Sequence, residues 1–97
     1  MTIQRMHQTD GGAAGHQILD LYDRGIEGCL KRDGKEVRET LLELMAALNF
    51  HYEEAAMGFF RMYELSLQHA SGRRFEVPLH VLRRLRSAWV EQPARLG

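Results

Sequence analysis

The chain has 97 residues, 44% of them hydrophobic and 27% charged, and its formal net charge is zero. That length suits one domain with a core of modest size, and that balance is the composition of an ordinary globular protein. The single Cys29 excludes an internal disulfide framework and fits a reducing compartment, and no apolar run approaches the roughly 20 residues of a membrane span. The opening stretch MTIQRMHQTDGG lacks the apolar core of a signal peptide, so the expectation is a cytoplasmic protein with no membrane insertion.

Charge is unevenly spread. Eleven acids face six bases between Asp10 and Ala70, whereas Ser71 to Gly97 holds six arginines against two acids. The arginines read either as a solvated helix face or as a surface for an anionic partner, and a nucleic-acid module usually concentrates more charge than this, so no nucleic-acid partner is expected.

Residues 1–15 are polar and glycine-containing and read as a flexible N-terminal arm. A bundle domain is expected over 16–92, with 93–97 as a C-terminal tail. The first helix is predicted from about His16 to Lys31, with Ile18, Leu21, Tyr22, Ile26, Cys29 and Leu30 as its apolar stripe. Gly25 and Gly28 weaken it by roughly 1 kcal/mol each relative to alanine, which close approach of a neighbouring helix would offset. Arg32-Asp33-Gly34-Lys35 reads as a turn. The second helix follows from about Glu36 to Leu48, through Val37, Leu41, Leu44, Met45 and Leu48, with acid in its first turn to suit the positive helix end.

The stretch from Asn49 to Ala70 dominates the chain. It carries Phe50, Tyr52, Phe59, Phe60 and Tyr63, five of the eight aromatic residues. Tyr52, Ala55, Phe59, Met62, Ser66 and Ala70 recur at steps of three and four, and Ala56, Phe60, Tyr63 and Leu67 run beside them. Two adjacent rows give an apolar face wider than one neighbouring helix needs. Whether Asn49-Phe50 is a turn or continues the second helix stays open. Gly58 is taken as a close-packing point, and Ser71-Gly72 as the helix end, glycine being the usual residue just past a C-terminus. Pro78 sits where a first-turn proline is tolerated, and the fourth helix runs to about Glu91 through Leu82, Leu85 and Trp89, with Val81 and Ala88 alongside and Pro93 beyond.

No strand-period segment competes. The expected fold is therefore all-α, an antiparallel up-and-down bundle of four helices joined by short connections, the first two helices short. Those short partners either leave part of the third helix uncovered or close over it in a complete core, and an uncovered apolar patch commonly marks an interaction site. Methionines 45, 57 and 62 would make such a surface adaptable.

Chemistry finds little support. His51-Tyr52-Glu53-Glu54 is superficially similar to hemerythrin-like proteins, but a di-metal bundle needs several inward histidines and carboxylates from facing helices. Here His69 and His80 are the other histidines of the central helices, no pair stands at i, i+4, and Glu53, Glu54 and Glu64 fall mostly off the apolar stripe. Cys29 reads as a small buried hydrophobe, Ser66 and Ser71 lack a nucleophile elbow, and no phosphate-cradling glycine loop precedes a helix. No catalytic residue, metal or cofactor is expected. Tyr22, Tyr63 and Trp89 are aromatics with polar tips, which a core would have to pair and a groove could leave wet.

Four patterns in order resemble the flagellin-specific export chaperones, the FliS family. Leu21-Tyr22-Asp23 is similar to the start of that family's second helix, and LLELMAALNF (41–50) to the segment before its long central helix. FFRMYELSLQHA (59–70) is similar to its tyrosine-containing helix, with Tyr63 matching the tyrosine, and VLRRLRSAW (81–89) to its terminal helix, with Trp89 matching the tryptophan. The chain departs from the pattern in having only seventeen residues (24–40) between the first two motifs and GGAAGHQ in place of the family's N-terminal signature. The resemblance implies a chaperone that covers an aggregation-prone helical segment of flagellin or another flagellar axial protein, blocks premature polymerisation and hands the client to an export-gate component. The residues expected to meet the partner are Tyr22, Ile26, Phe59, Phe60, Tyr63, Leu67, Leu82, Leu85 and Trp89. The alternative is a regulatory or structural module that forms a homodimer through the same face.

Overall fold

The computed structural model describes residues 12–48 and 53–91, with side chains from residue 17 onward. Four helices account for nearly all of them: α1 (Gly12–Leu30), α2 (Gly34–Ala46), α3 (Glu53–Ser71) and α4 (Glu76–Glu91). No strand occurs among the described residues. None of these helices is long and apolar enough to cross a membrane.

Two helix starts and one relative length differ from those read in the sequence. α1 begins at Gly12, because Ala13 and Ala14 are strong helix formers and carry the helix back by a turn. At 19 residues α1 equals α3, so of the first two helices only the 13-residue α2 is short. α2 in turn begins at Gly34, inside the expected turn. Asp33 is its N-cap, extended at φ −94° and ψ 93°, and its carboxylate accepts from the Glu36 N–H at 3.2 Å. The stretch Asn49 to Tyr52, with the turn left open there, lies outside the described residues, as do residues 1–11 and 92–97.

Each helix packs against two others: α1 and α3 both lie against α2 and α4. One core fills the space between them. Ile18, Tyr22 and Cys29 from α1 meet Val37, Leu41 and Leu44 from α2, Tyr63 and Ala70 from α3, and Leu82, Leu85 and Trp89 from α4, with Phe75 closing one end. Leu30, placed on the α1 stripe by spacing, is instead 58% exposed, since it is the last residue of its helix and lies past the buried line.

The glycines of α1 mark its closest approaches. A Cβ on Gly25 would stand 2.7 Å from Cδ1 of Leu82 and 3.2 Å from Cγ2 of Thr40, and one on Gly28 would stand 3.0 Å from Cγ2 of Val37. α1 thus spends helix propensity on intimate contact with both neighbours. Gly58 behaves differently from the expectation: a Cβ there meets nothing within 4 Å, because the residue faces outward. It is not a packing point.

Ion pairs lace the outer surface between helices. Arg24 of α1 reaches Glu36 at 2.9 Å and Glu43 at 3.2 Å on α2, and Asp23 of α1 pairs with Arg86 of α4. All are substantially exposed, so each contributes on the order of 0–1 kcal/mol and the core carries the fold.

Candidate interaction surface

α3 has 19 residues against 13 in α2 and 16 in α4, so at 1.5 Å per residue it outlasts α2 by about 9 Å. Its buried line is Ala56, Tyr63, Ser66 and Ala70. At 3.6 residues per turn, Phe60, Leu67 and Met57 lie to one side of that line and Ala55 and Met62 to the other, with Phe59 inside the band near the helix start. All six are half-buried. Ala55, Phe59, Phe60, Met62 and Leu67 pack their inner edges on the core and keep the rest accessible. Leu65, on the outer side of the helix, is 47% exposed. The wide apolar face read from the sequence is present, with small and polar-tipped residues at its centre and large apolar ones at its margins.

The nine residues expected to meet a partner divide into two groups. Tyr22, Tyr63, Leu82, Leu85 and Trp89 are buried in the core. Ile26 of α1 and Phe59, Phe60 and Leu67 of α3 are half-buried, so of the nine only these four keep substantial accessible surface.

The buried group forms one unit. The Tyr22 and Tyr63 hydroxyls share a hydrogen bond of 2.9 Å across the interior. The Tyr22 ring meets Trp89 edge-on, with centroids 6.3 Å apart and planes at 72°, and Phe59 lies 6.5 Å from Tyr63. Burial pushes the Tyr22 pKa well above the ordinary value of 10, the bond from Tyr63 offsetting part of the rise. Burial likewise raises Tyr63, and the neighbouring Tyr22 adds to it. Cys29 is pushed up to about 11 by burial, with the charge of Arg83 acting the other way, so its thiol is inert near neutral pH.

These three groups hold their protons in the folded state at pH values where the unfolded chain loses them. The unfolded state therefore binds fewer protons above about pH 9, the ordinary thiol value, and folding stability falls as pH rises from there. By about pH 11 the loss should reach on the order of 1 kcal/mol or more per group. Urea midpoints measured across neutral to alkaline pH should fall accordingly, and a flat profile would contradict the burial described here. Replacing Tyr63 by phenylalanine and Cys29 by alanine should flatten the slope.

Ser66, fully buried one turn from Tyr63 and Ala70, has a hydroxyl with no hydrogen-bond partner among the described residues. Among the described residues no group of three or more histidines, cysteines and carboxylates comes together, and His51 lies outside them. No family model matches the chain, and neither the curated proteins nor the solved structures give a significant match.

One feature had no signal in the sequence. Arg32 and Arg73 stand in the left-handed region at φ 56° and 60°, each just past a helix C-terminus. Glycine is the usual residue for that role, yet the Gly72 φ is not positive and Gly34 opens α2. Around Arg32, the Asp33 N–H bonds the Gly28 carbonyl and the Arg32 N–H bonds Cys29. Around Arg73, the Arg74 N–H bonds His69 and the Arg73 N–H bonds Ala70. Both helices thus end in the same six-to-one and five-to-two pattern. The two turns meet: the Arg32 guanidinium donates to the Arg73 carbonyl at 3.2 Å, and Arg73 returns a bond to the Arg32 carbonyl at 3.3 Å.

Proposed function

We propose that this chain is a non-catalytic binding module that covers an apolar helical segment of another protein along the margin of α3. The observation that carries this reading is the half-buried row of Met57, Phe60 and Leu67 along one margin of α3, with Phe59 inside the band beside it and Met62 on the other margin, on a helix that outlasts its α2 neighbour. Large apolar side chains at the edge of a filled core offer contact area without costing the fold its interior, and thioether side chains adapt to the shape of an incoming helix.

The narrower proposal is a chaperone of the kind the sequence resembles, acting in the cytoplasm on flagellin or another flagellar axial protein before export. Its support is that the residues carrying the resemblance meet one another. Tyr22 bonds Tyr63 and packs edge-on against Trp89, while Asp23 pairs with Arg86 on that tryptophan's helix. An antiparallel up-and-down course belongs to the same proposal, supported by the meeting of the turn after α1 with the turn after α3. The mechanism is occlusion: the module buries faces that would otherwise polymerise, and release at the export gate exposes them.

Titration with the C-terminal region of flagellin tests this directly. Binding should be saturable, and Phe60→Ser combined with Leu67→Ser should weaken it by about tenfold or more. Unfolding of the variant should remain cooperative. Failure to bind flagellin or any other axial subunit would remove the chaperone reading. A homodimer that the same double variant dissociates would replace it with a self-associating module.

A further inference from the structure

The end of the bundle where the two arginine turns meet is strongly cationic. A pocket of about 520 Å³ is lined there by Arg32, Lys35, Arg38 and Arg73, with Asp33 and Gly34 at the start of α2. Four cations face a single carboxylate, and Asp33 already spends one oxygen on the Glu36 N–H. No salt bridge among the described residues involves any of the four.

Two of these cations are held in place. The guanidinium carbons of Arg32 and Arg73 lie 5.1 and 5.7 Å from the centroid of the same ring, Phe75, which is buried. Each also donates to the other's carbonyl, which fixes both guanidinium groups while leaving most of their N–H donors unspent. Each guanidinium lies just past a helix C-terminus, whose partial negative charge offsets part of its own, and a bound anion would offset the repulsion that remains between the two. Both arginines moreover occupy a backbone region that glycine would fill without strain.

We propose that this pocket is a binding site for a small phosphate-bearing oxyanion carrying at least two negative charges. The arginine forks match the geometry of phosphate oxygens, and Lys35 and Arg38 add charge beside them. The surroundings favour a small soluble ligand over an anionic bilayer. Asp33 sits in the lining, and Glu36 and Glu76 lie in the first turns of α2 and α4. A broad negative surface would be repelled by those carboxylates, whereas a compact ligand reaches the arginines between them.

The test uses the full chain and sodium pyrophosphate as the probe, followed by heteronuclear NMR and calorimetry at low ionic strength. Saturable shifts are expected at the amides of Arg32, Gly34, Lys35 and Arg73, with none of similar size from chloride at matched ionic strength. Lys35→Gln combined with Arg38→Gln removes two charges that form no salt bridge among the described residues, and Arg73→Gly removes a guanidinium at a backbone position that glycine suits. Each should weaken binding by about tenfold or more while cooperative unfolding is retained. The proposal is overturned if pyrophosphate gives only the response of chloride, or if binding is unchanged in both variants. Anionic phospholipid vesicles serve as the second arm: capture by vesicles without binding of pyrophosphate would overturn the small-ligand assignment.

Discussion

Replacing Trp89 by alanine should lower the unfolding free energy by about 3–5 kcal/mol, out of a total near 5–15 kcal/mol for a domain of this size. The side chain is only 5% exposed and fills the space between α4 and the Tyr22 ring. Truncation removes its buried area and leaves a cavity whose walls, the tyrosine pair and the leucines of α4, are already committed to other contacts. Because Trp89 is the one tryptophan of the chain, the measurement should be urea denaturation followed by circular dichroism rather than fluorescence. Trp89→Phe should recover part of the loss by keeping an aromatic edge against Tyr22. A cost below about 1 kcal/mol would mean that the tryptophan packs on the surface and that the core is smaller than described.

The second large effect concerns Leu82 and Gly25 together. Leu82 is fully buried, and Leu82→Ala alone should cost about 2–5 kcal/mol. Gly25→Ala alone should also destabilise, by about 1–3 kcal/mol of overpacking less the roughly 1 kcal/mol gained in helix propensity. The new methyl would stand 2.7 Å from Cδ1 of Leu82, inside contact distance, with Thr40 blocking a shift toward α2 at 3.2 Å. In the double variant the leucine that causes the clash is gone. The two costs should therefore fall short of additivity by about 1 kcal/mol or more, measured as a double-mutant cycle in urea. Additive costs would show that the helices part to admit the methyl, and that the close approach of α1 and α4 is not fixed by this contact.

Much of the fold was legible because the signals were local. Spacing placed Ile18, Tyr22 and Cys29, then Val37, Leu41 and Leu44, then Leu82, Leu85 and Trp89 on the inner faces of their helices, and each triplet is buried. Gly25 and Gly28 were readable as approach points, since two glycines inside an apolar helix need a packing reason. Gly58 showed the limit of that argument: the same residue type in the same context faces open space. Nothing local distinguishes them, because the difference lies in which neighbour stands opposite.

The surface was harder to read for a related reason. Periodicity marks a band of apolar residues but not its centre, and on α3 the centre falls on Ala56, Tyr63, Ser66 and Ala70 rather than on the phenylalanines. Small residues there let α3 approach its neighbours, which leaves Met57, Phe60 and Leu67 on one margin and Met62 on the other, with Phe59 inside the band near the helix start. The arginine turns were illegible because a left-handed backbone is announced by glycine or asparagine, and the glycines beside them, Gly34 and Gly72, pointed to the wrong positions. Phe75, outside every apolar stripe, was missed because the turn that buries it is built by the arginines on either side of the bundle end.

The Tyr22–Tyr63 hydroxyl bond spans α1 and α3, which are not neighbours in the ring of helix contacts. Apolar contacts are non-directional and tolerate small axial shifts. A hydroxyl pair does not. A slip of α3 by one turn, about 5.4 Å, would carry the two oxygens out of reach and strand each without the other in an apolar interior. The bond therefore acts as a ruler laid across the diagonal of the bundle, setting the axial offset between two helices whose apolar surfaces alone would leave it loosely determined.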